Sequence, residues 1–148
     1  MSSSKQRLMA VRITRRFRAP PQRVFEAWLD PTLAGRWLFA TATRPMTDVA
    51  IDARVGGSFR LVDRDSNEIS EHQGKYVEIV PHRRLVFMLV EPRQRRRSMR
   101  VIVEITPRQG GCDLSLSHEN LSVERASDIE ARWTGILYGL GETLASYK

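Results

Sequence analysis

The end of the chain carries the pattern that most restricts its fold, because apolar residues recur there every three or four positions over about 20 residues. These positions are Ile129, Trp133, Ile136, Leu137, Leu140 and Leu144. Such spacing is typical of an amphipathic helix, and a helix this long needs a broad apolar surface to cover its buried face. Gly135, Gly139 and Gly141 lie within the pattern, and we expect them to permit a close approach of the element that packs there.

Before this helix, alternating apolar and polar residues predict a series of half-buried β-strands. The predicted strand segments are 8–17, 46–53, 58–63, 71–80, 85–90, 99–105 and 112–118. The segment 85–90 is apolar almost throughout, which indicates a central strand. Gly56-Gly57 and Gly110-Gly111 mark turns between strands. We therefore expect an antiparallel sheet of about six to seven strands, with one face covered by the closing helix.

Two short helices are predicted between the first strand and the rest of the sheet. Pro20 and Pro21 suit the first turn of a helix, and apolar residues then recur at helical spacing as far as Leu29. Asp30 followed by Pro31 ends this helix, and the aspartate is expected to cap a second one that reaches about Trp37. The predicted fold class is therefore α+β.

Length and composition favour one domain over residues 1–148, with residues 1–7 expected to form a disordered tail. The chain has 148 residues, of which 41% are hydrophobic, and this is enough for a core. Cys112 is the only cysteine and cannot form an internal disulfide, and the start of the chain shows no secretory signal. No apolar stretch approaches the roughly 20 residues that span a bilayer. A cytoplasmic location is the expectation.

The net charge of +7 directs attention to anionic partners, and the basic residues cluster between Arg83 and Arg108. The core of this cluster is the sequence EPRQRRRS, which predicts a solvated loop between two strands. No aromatic residue lies in the loop to stack on bases and no nucleic-acid-binding motif is present, so nucleic acid is not an expected partner. The loop from Arg93 to Arg100 is better suited to steer the chain toward an acidic protein.

The residues with the chemistry for catalysis or metal binding are scattered. His72, His82 and His118 lack the short helical spacing of metal ligands, so we predict no metal site and no cofactor. Glu71 next to His72, and His118 next to Glu119, point to opposite faces of a strand and cannot converge on one substrate. We assign no catalytic residue, and whether the chain is an enzyme stays open.

His118 is the histidine with the most informative position. It shares a strand face with Leu114 and Leu116, which directs its ring toward the core. Two interpretations are open for this imidazole. It forms a hydrogen bond with the polar end of a ligand, or its hydrogen-bonding partner is a backbone group or a water molecule.

Four stretches of the chain resemble one family: ITRRFRAPPQRVFEAWLDPTLAGRWL at 13–38, IDARVGGSFRL at 51–61, GKYVEIVPHRRLVF at 74–87, and the closing helix around Arg132-Trp133. The chain is similar to the bacterial relatives of the activator of the heat-shock-protein ATPase. That family lies in the START-like superfamily (SRPBCC, helix-grip), which includes the birch-pollen allergen. The closing helix of the family usually carries a histidine and a Gly-Trp pair, whereas this chain has Ile129 and Arg132-Trp133 at those places.

The resemblance implies a helix-grip fold, in which a curved antiparallel sheet wraps around the long terminal helix and encloses an apolar cavity. Large apolar side chains and two polar groups are the candidates for lining that cavity. We expect these ligand-binding residues to be Trp37, Phe59, Tyr76, Phe87, His118, Trp133 and Leu137.

Binding of a small apolar or amphipathic molecule in this cavity is the first functional hypothesis. A chaperone-accessory or other protein-interaction role is the second, and it is implied by the resemblance. A cyclase- or hydrolase-like enzyme that uses the same cavity is the third, and a homodimer is left open.

Overall fold

Seven antiparallel strands and three helices form the part of the chain that the computed structural model describes, residues 8–40, 46–64, 70–90 and 98–146. In chain order they are β1 (Leu8–Phe17), α1 (Pro21–Leu29), α2 (Pro31–Trp37), β2 (Asp48–Ile51), β3 (Ser58–Asp63), β4 (Ser70–Val80), β5 (Arg84–Val90), β6 (Ser98–Arg108), β7 (Gly111–Ser122) and α3 (Val123–Ser146). The strands form one curved sheet in the order β1-β7-β6-β5-β4-β3-β2. The predicted α+β helix-grip architecture is confirmed.

The inner face of the sheet forms the core, as the alternation in the sequence predicts. On β6 and β7 the buried inner residues are Met99, Val101, Val103, Ile105, Cys112, Leu114, Leu116 and His118. The register joins these two strands antiparallel and pairs Val101 with His118. At the centre of the sheet, β5 is buried on both faces around Val86, which explains why its sequence is apolar without alternation.

The two short helices owe their positions to local sequence signals. The side chain of Asp30 accepts hydrogen bonds from the backbone N–H groups of Thr32 and Leu33, at 2.9 and 3.3 Å, and so caps α2 as predicted. Nε1 of Trp37 donates to the carbonyl oxygen of Ala27 at 3.1 Å and ties α2 to α1. This bond anchors the short helices against each other beside α3.

The long helix α3 buries one face against the sheet and α2. The helix is amphipathic as predicted, but our expectation about its glycines is wrong for Gly135, which is exposed and has no atom within 4 Å of the place where a Cβ would lie. A Cβ on Gly139 would lie 3.6 Å from Cβ of Trp37, and one on Gly141 would lie 3.7 Å from Phe17, which are ordinary contacts. None of the three glycines is required by a close approach.

Several arginines form cross-strand ion pairs on the outer, solvated face of the sheet. Arg16 and Arg108 both bind Asp113, at 3.3 and 2.7 Å, and lower the pKa of that carboxyl group. Arg84 bonds to Glu78 and Glu104 at 3.1 and 3.0 Å. Since these pairs are solvated, they contribute little to stability, but they neutralise part of the basic charge.

Two expectations concern segments beyond the part of the chain that is described. The tail at residues 1–7 and the loop arginines Arg93, Arg95, Arg96 and Arg97 lie outside the described residues. Among the described helices, none has the length and apolar character required to cross a membrane.

Gly74 of β4 is a glycine whose replacement should be costly. A Cβ at this position would collide with the carbonyl oxygen of Met88 and would lie 2.6 Å from two ring atoms of Phe59. We expect Gly74→Ala to lower the free energy of unfolding by roughly 1–3 kcal/mol, since an overpacked core can relax only by moving backbone. Urea denaturation checks this, with Gly135→Ala as the matched control, which should gain up to about 1 kcal/mol. Equal stability of the two variants would contradict the tight packing at Gly74.

Candidate functional site

A small pocket lies between the inner face of the sheet and α3, and we call it the α3 pocket. Its lining residues are Phe39 after α2, His72 of β4, Leu89 and Val90 of β5, Met99 of β6, His118 of β7, and Arg125, Ile129, Arg132, Trp133 and Ile136 of α3. The cavity has a volume of about 70 Å³. An apolar cavity of roughly 150 Å³ holds a benzene molecule, so the α3 pocket has room only for a smaller group.

The inner wall of the α3 pocket is a hydrogen-bonded pair of buried rings, His118 and Trp133. Nε1 of Trp133 donates to Nδ1 of His118 at 2.8 Å. Because Nδ1 accepts, the proton of the neutral imidazole lies on Nε2, which is 3.2 Å from Sδ of Met99. His118 and Trp133 are only 1% and 2% exposed. The indole is thus a partner of the histidine that the sequence did not reveal, and it fixes both rings in the wall.

His72 of β4 also lines the pocket, and its ring stacks on that of Phe39. The two ring centroids are 4.4 Å apart and the planes differ by 9°. Burial, together with the nearby charge of Arg132, lowers the pKa of His72 to about 4. The imidazole is therefore neutral at pH 7, and it contributes a flat, uncharged surface to the pocket.

Phe39 also lines the pocket, and its backbone conformation is unusual for a large residue. Its φ angle is 59°, in the left-handed region that non-glycine residues seldom occupy. The ring lies between His72 and Trp133, with 5.4 Å between its centroid and that of Trp133. Such strain costs on the order of 1–3 kcal/mol and persists only where packing enforces it, often at a binding site.

The mouth of the pocket carries two arginines of α3, Arg125 and Arg132, which sequence reasoning did not assign to the site. Arg125 is half-buried and Arg132 is exposed. They lie on the same face of the helix as Ile129 and Trp133, because positions separated by three, four and seven residues share a face. This spacing was the available signal for both residues.

Two of the seven predicted ligand-binding residues, His118 and Trp133, line the α3 pocket. The other five are buried in the core and are not among its lining residues: Trp37, Phe59, Tyr76, Phe87 and Leu137. The ring of Phe59 packs against the rings of Tyr76 and Phe87, with centroid distances of 5.4 and 5.2 Å. A role for these five residues in ligand binding stays a prediction.

The chemistry of the lining residues is that of a binding pocket. They include imidazole, guanidinium, thioether and aromatic groups, but no carboxylate, hydroxyl or thiol. Within the described ranges, no three His, Cys, Asp or Glu side chains group together to hold a metal ion. The thiol of Cys112 is buried, and burial raises its pKa. Among the described residues, the lining of the pocket offers polar contacts without a nucleophile or a carboxylate base.

Comparison with solved structures identifies the same fold in several bacterial proteins. Protein CV1439 from Chromobacterium violaceum is 26% identical with a TM-score of 0.78, over 90% of this chain and 96% of that one. Protein of unknown function SA2116 from Staphylococcus aureus is 17% identical with a TM-score of 0.86, over 97% and 98% of the two chains. The AHSA1-like protein from Aeromonas hydrophila is 21% identical with a TM-score of 0.80, over 93% of both chains.

The family assignment follows from the sequence itself. No curated protein matches the chain. The sequence profile described as "Activator of Hsp90 ATPase homolog 1-like protein" matches residues 18–145, which include everything from the end of β1 to the last turn of α3. With a match over most of its length, the chain belongs to the Activator of Hsp90 ATPase homolog 1-like family.

Proposed function

We propose that this domain binds a small amphipathic molecule in the α3 pocket. The observation that supports this most directly is the wall formed by His118 and Trp133, because their hydrogen bond holds an aromatic surface and a polar ring in fixed positions. Apolar pockets with a few fixed polar groups are typical of small-molecule binding sites. Binding would be driven by removal of the ligand's apolar part from water.

The size of the pocket restricts the molecule. Pockets for drug-sized ligands enclose roughly 300–1,000 Å³, whereas the α3 pocket encloses about 70 Å³. A ligand therefore places a short apolar group between Ile129 and Met99, and its remaining atoms lie at the mouth near the arginines of α3. A short-chain or small aromatic compound fits this description better than a sterol or a long fatty acid.

Binding is better supported than catalysis in this pocket. A cyclase- or hydrolase-like reaction requires an acid, a base or a nucleophile that converges on the substrate. Glu71 points to the face of β4 opposite His72, where it accepts a hydrogen bond from Arg60 of β3. Its carboxylate therefore does not reach the pocket. The remaining candidates are the imidazoles of His72 and His118. The first stacks on Phe39, and the second accepts a hydrogen bond from Trp133.

Two measurements test the proposal. Native mass spectrometry of the protein purified from cells detects a bound molecule, and a thermal-shift screen then tests short amphipathic compounds. A compound at 100 times its dissociation constant stabilises the fold by roughly 2.7 kcal/mol. We expect Ile129→Phe, which fills the pocket, to abolish the shift produced by any such compound. Val77→Phe places the same ring on an exposed strand position and should leave the shift unchanged.

An unchanged shift in Ile129→Phe would place the ligand elsewhere on the domain. An empty protein that no compound stabilises would contradict ligand binding in this pocket. That result would favour the protein-interaction role that the family description indicates, with an Hsp90-type chaperone as the first partner to test.

A further inference from the structure

Two arginine side chains of α3 lie at the mouth of the α3 pocket. Arg125 and Arg132 are separated by seven residues, or about two helical turns, and both border the pocket. No described lining residue carries a carboxylate that could balance the charge of Arg132. Among the described residues, then, the pocket joins an apolar interior to the guanidinium of Arg132 at its mouth.

Arg132 differs from the arginines on the outer face of the sheet. Arg16 and Arg84 each form ion pairs with acidic side chains on neighbouring strands. Arg132 forms no ion pair with any described residue, and its side chain is exposed beside the pocket. Its charge does reach the pocket, because it contributes to lowering the pKa of His72.

We propose that the α3 pocket selects an organic carboxylate, whose charged group is bound by Arg132 at the mouth and whose short apolar part lies against Trp133 and Ile129. This inference rests on the proposed function, because it specifies the chemical class of the bound molecule. A guanidinium can bind a carboxylate through two parallel hydrogen bonds, and the planar fork suits this group better than a neutral amide. An ammonium group at the same place would be repelled by the guanidinium of Arg132.

A matched series of three compounds tests the selection: hexanoate, hexanamide and hexylamine. They share an alkyl chain of similar length and differ in the charge of the head group. Isothermal titration calorimetry at pH 7 and low salt should give hexanoate about 10- to 100-fold tighter binding than hexanamide, since a hydrogen bond to an ionised group is markedly stronger than a neutral one. Hexylamine should bind more weakly than the amide.

Arg132→Gln should bring the affinity for hexanoate down to that for hexanamide and leave the affinity for hexanamide unchanged. Arg100→Gln is the control, because it removes the same charge from the outer face of β6, where Arg100 is exposed and 4.0 Å from Glu119. The Arg100→Gln variant should bind hexanoate more tightly than hexanamide by the same factor as the wild type. The melting temperature of each variant, measured without ligand, shows whether it folds.

The outcomes separate this inference from the proposed function. If hexanamide or hexylamine binds as tightly as hexanoate, the carboxylate selection is overturned while ligand binding stands. An equal loss of affinity for acid and amide in Arg132→Gln would also overturn it, since the arginine would then act on the pocket as a whole. If no compound of the series binds, ligand binding in this pocket fails as well.

Discussion

Trp133→Ala should lower the free energy of unfolding by about 3–5 kcal/mol, which is the usual cost of removing a buried tryptophan. Two losses add up in this variant. The indole leaves a void among Trp28, Phe39 and His118, whose rings contact it. In addition, Nδ1 of His118 loses the donor that lies 2.8 Å away. Chemical denaturation followed by circular dichroism measures the total.

Trp133→Phe separates the hydrogen bond from the packing. It keeps an aromatic ring but leaves Nδ1 of the buried His118 without the indole donor, for which we expect a cost of about 1–3 kcal/mol. His118→Leu should cost a similar amount, because the indole N–H then lacks its acceptor. The double variant should lose less than the sum of the two, since neither polar partner remains. Strict additivity would show that the pair is not coupled.

Acidification should destabilise the domain through His72. The pKa of this residue is lowered from 6.5 to about 4 in the folded protein, so between these values the unfolded chain binds more protons than the folded one. The stability is therefore complete above pH 6.5 and decreases as the pH falls toward 4. Over this pH range, the lowered pKa of His72 corresponds to a loss of about 3 kcal/mol in the free energy of unfolding.

His72→Gln is the variant that assigns this pH dependence. We expect the difference in unfolding free energy between about pH 7 and pH 4 to be smaller in the variant than in the wild type by most of that 3 kcal/mol. Urea denaturation at several pH values measures both proteins. Other groups titrate in both and cancel in the comparison. Parallel curves for the two proteins would show that His72 is accessible to protons in the folded state.

The sequence carries enough local information to predict most of the fold. The alternation in β6 and β7, the apolar run of β5 and the capping aspartate at residue 30 each correspond to one structural element. These features depend on neighbours a few residues apart, which a pattern can report. The spacing of α3 likewise predicts the helix and its buried face.

The site was less predictable because it depends on residues brought together from distant parts of the chain. Neither the helical nor the strand periodicity of the sequence predicts the positive φ of Phe39 or the stacking of its ring on His72. The bond from Trp133 to His118 crosses from α3 to β7. Gly135 shows the opposite error, since a glycine at a helix position suggested a close contact where the structure has open space.

The strand order also has a consequence for how the domain folds. Among the described strands β1 pairs only with β7, and the side chains of Arg12 and Ser115, which are hydrogen-bonded across these two strands, are 103 positions apart in the chain. Closing so large a loop carries an entropic cost before any contact of β1 is made, and pairings of this kind slow folding. During synthesis β1 leaves the ribosome well before β7 exists. We expect the sheet from β2 to β7 to assemble first, with β1 as the last strand to dock.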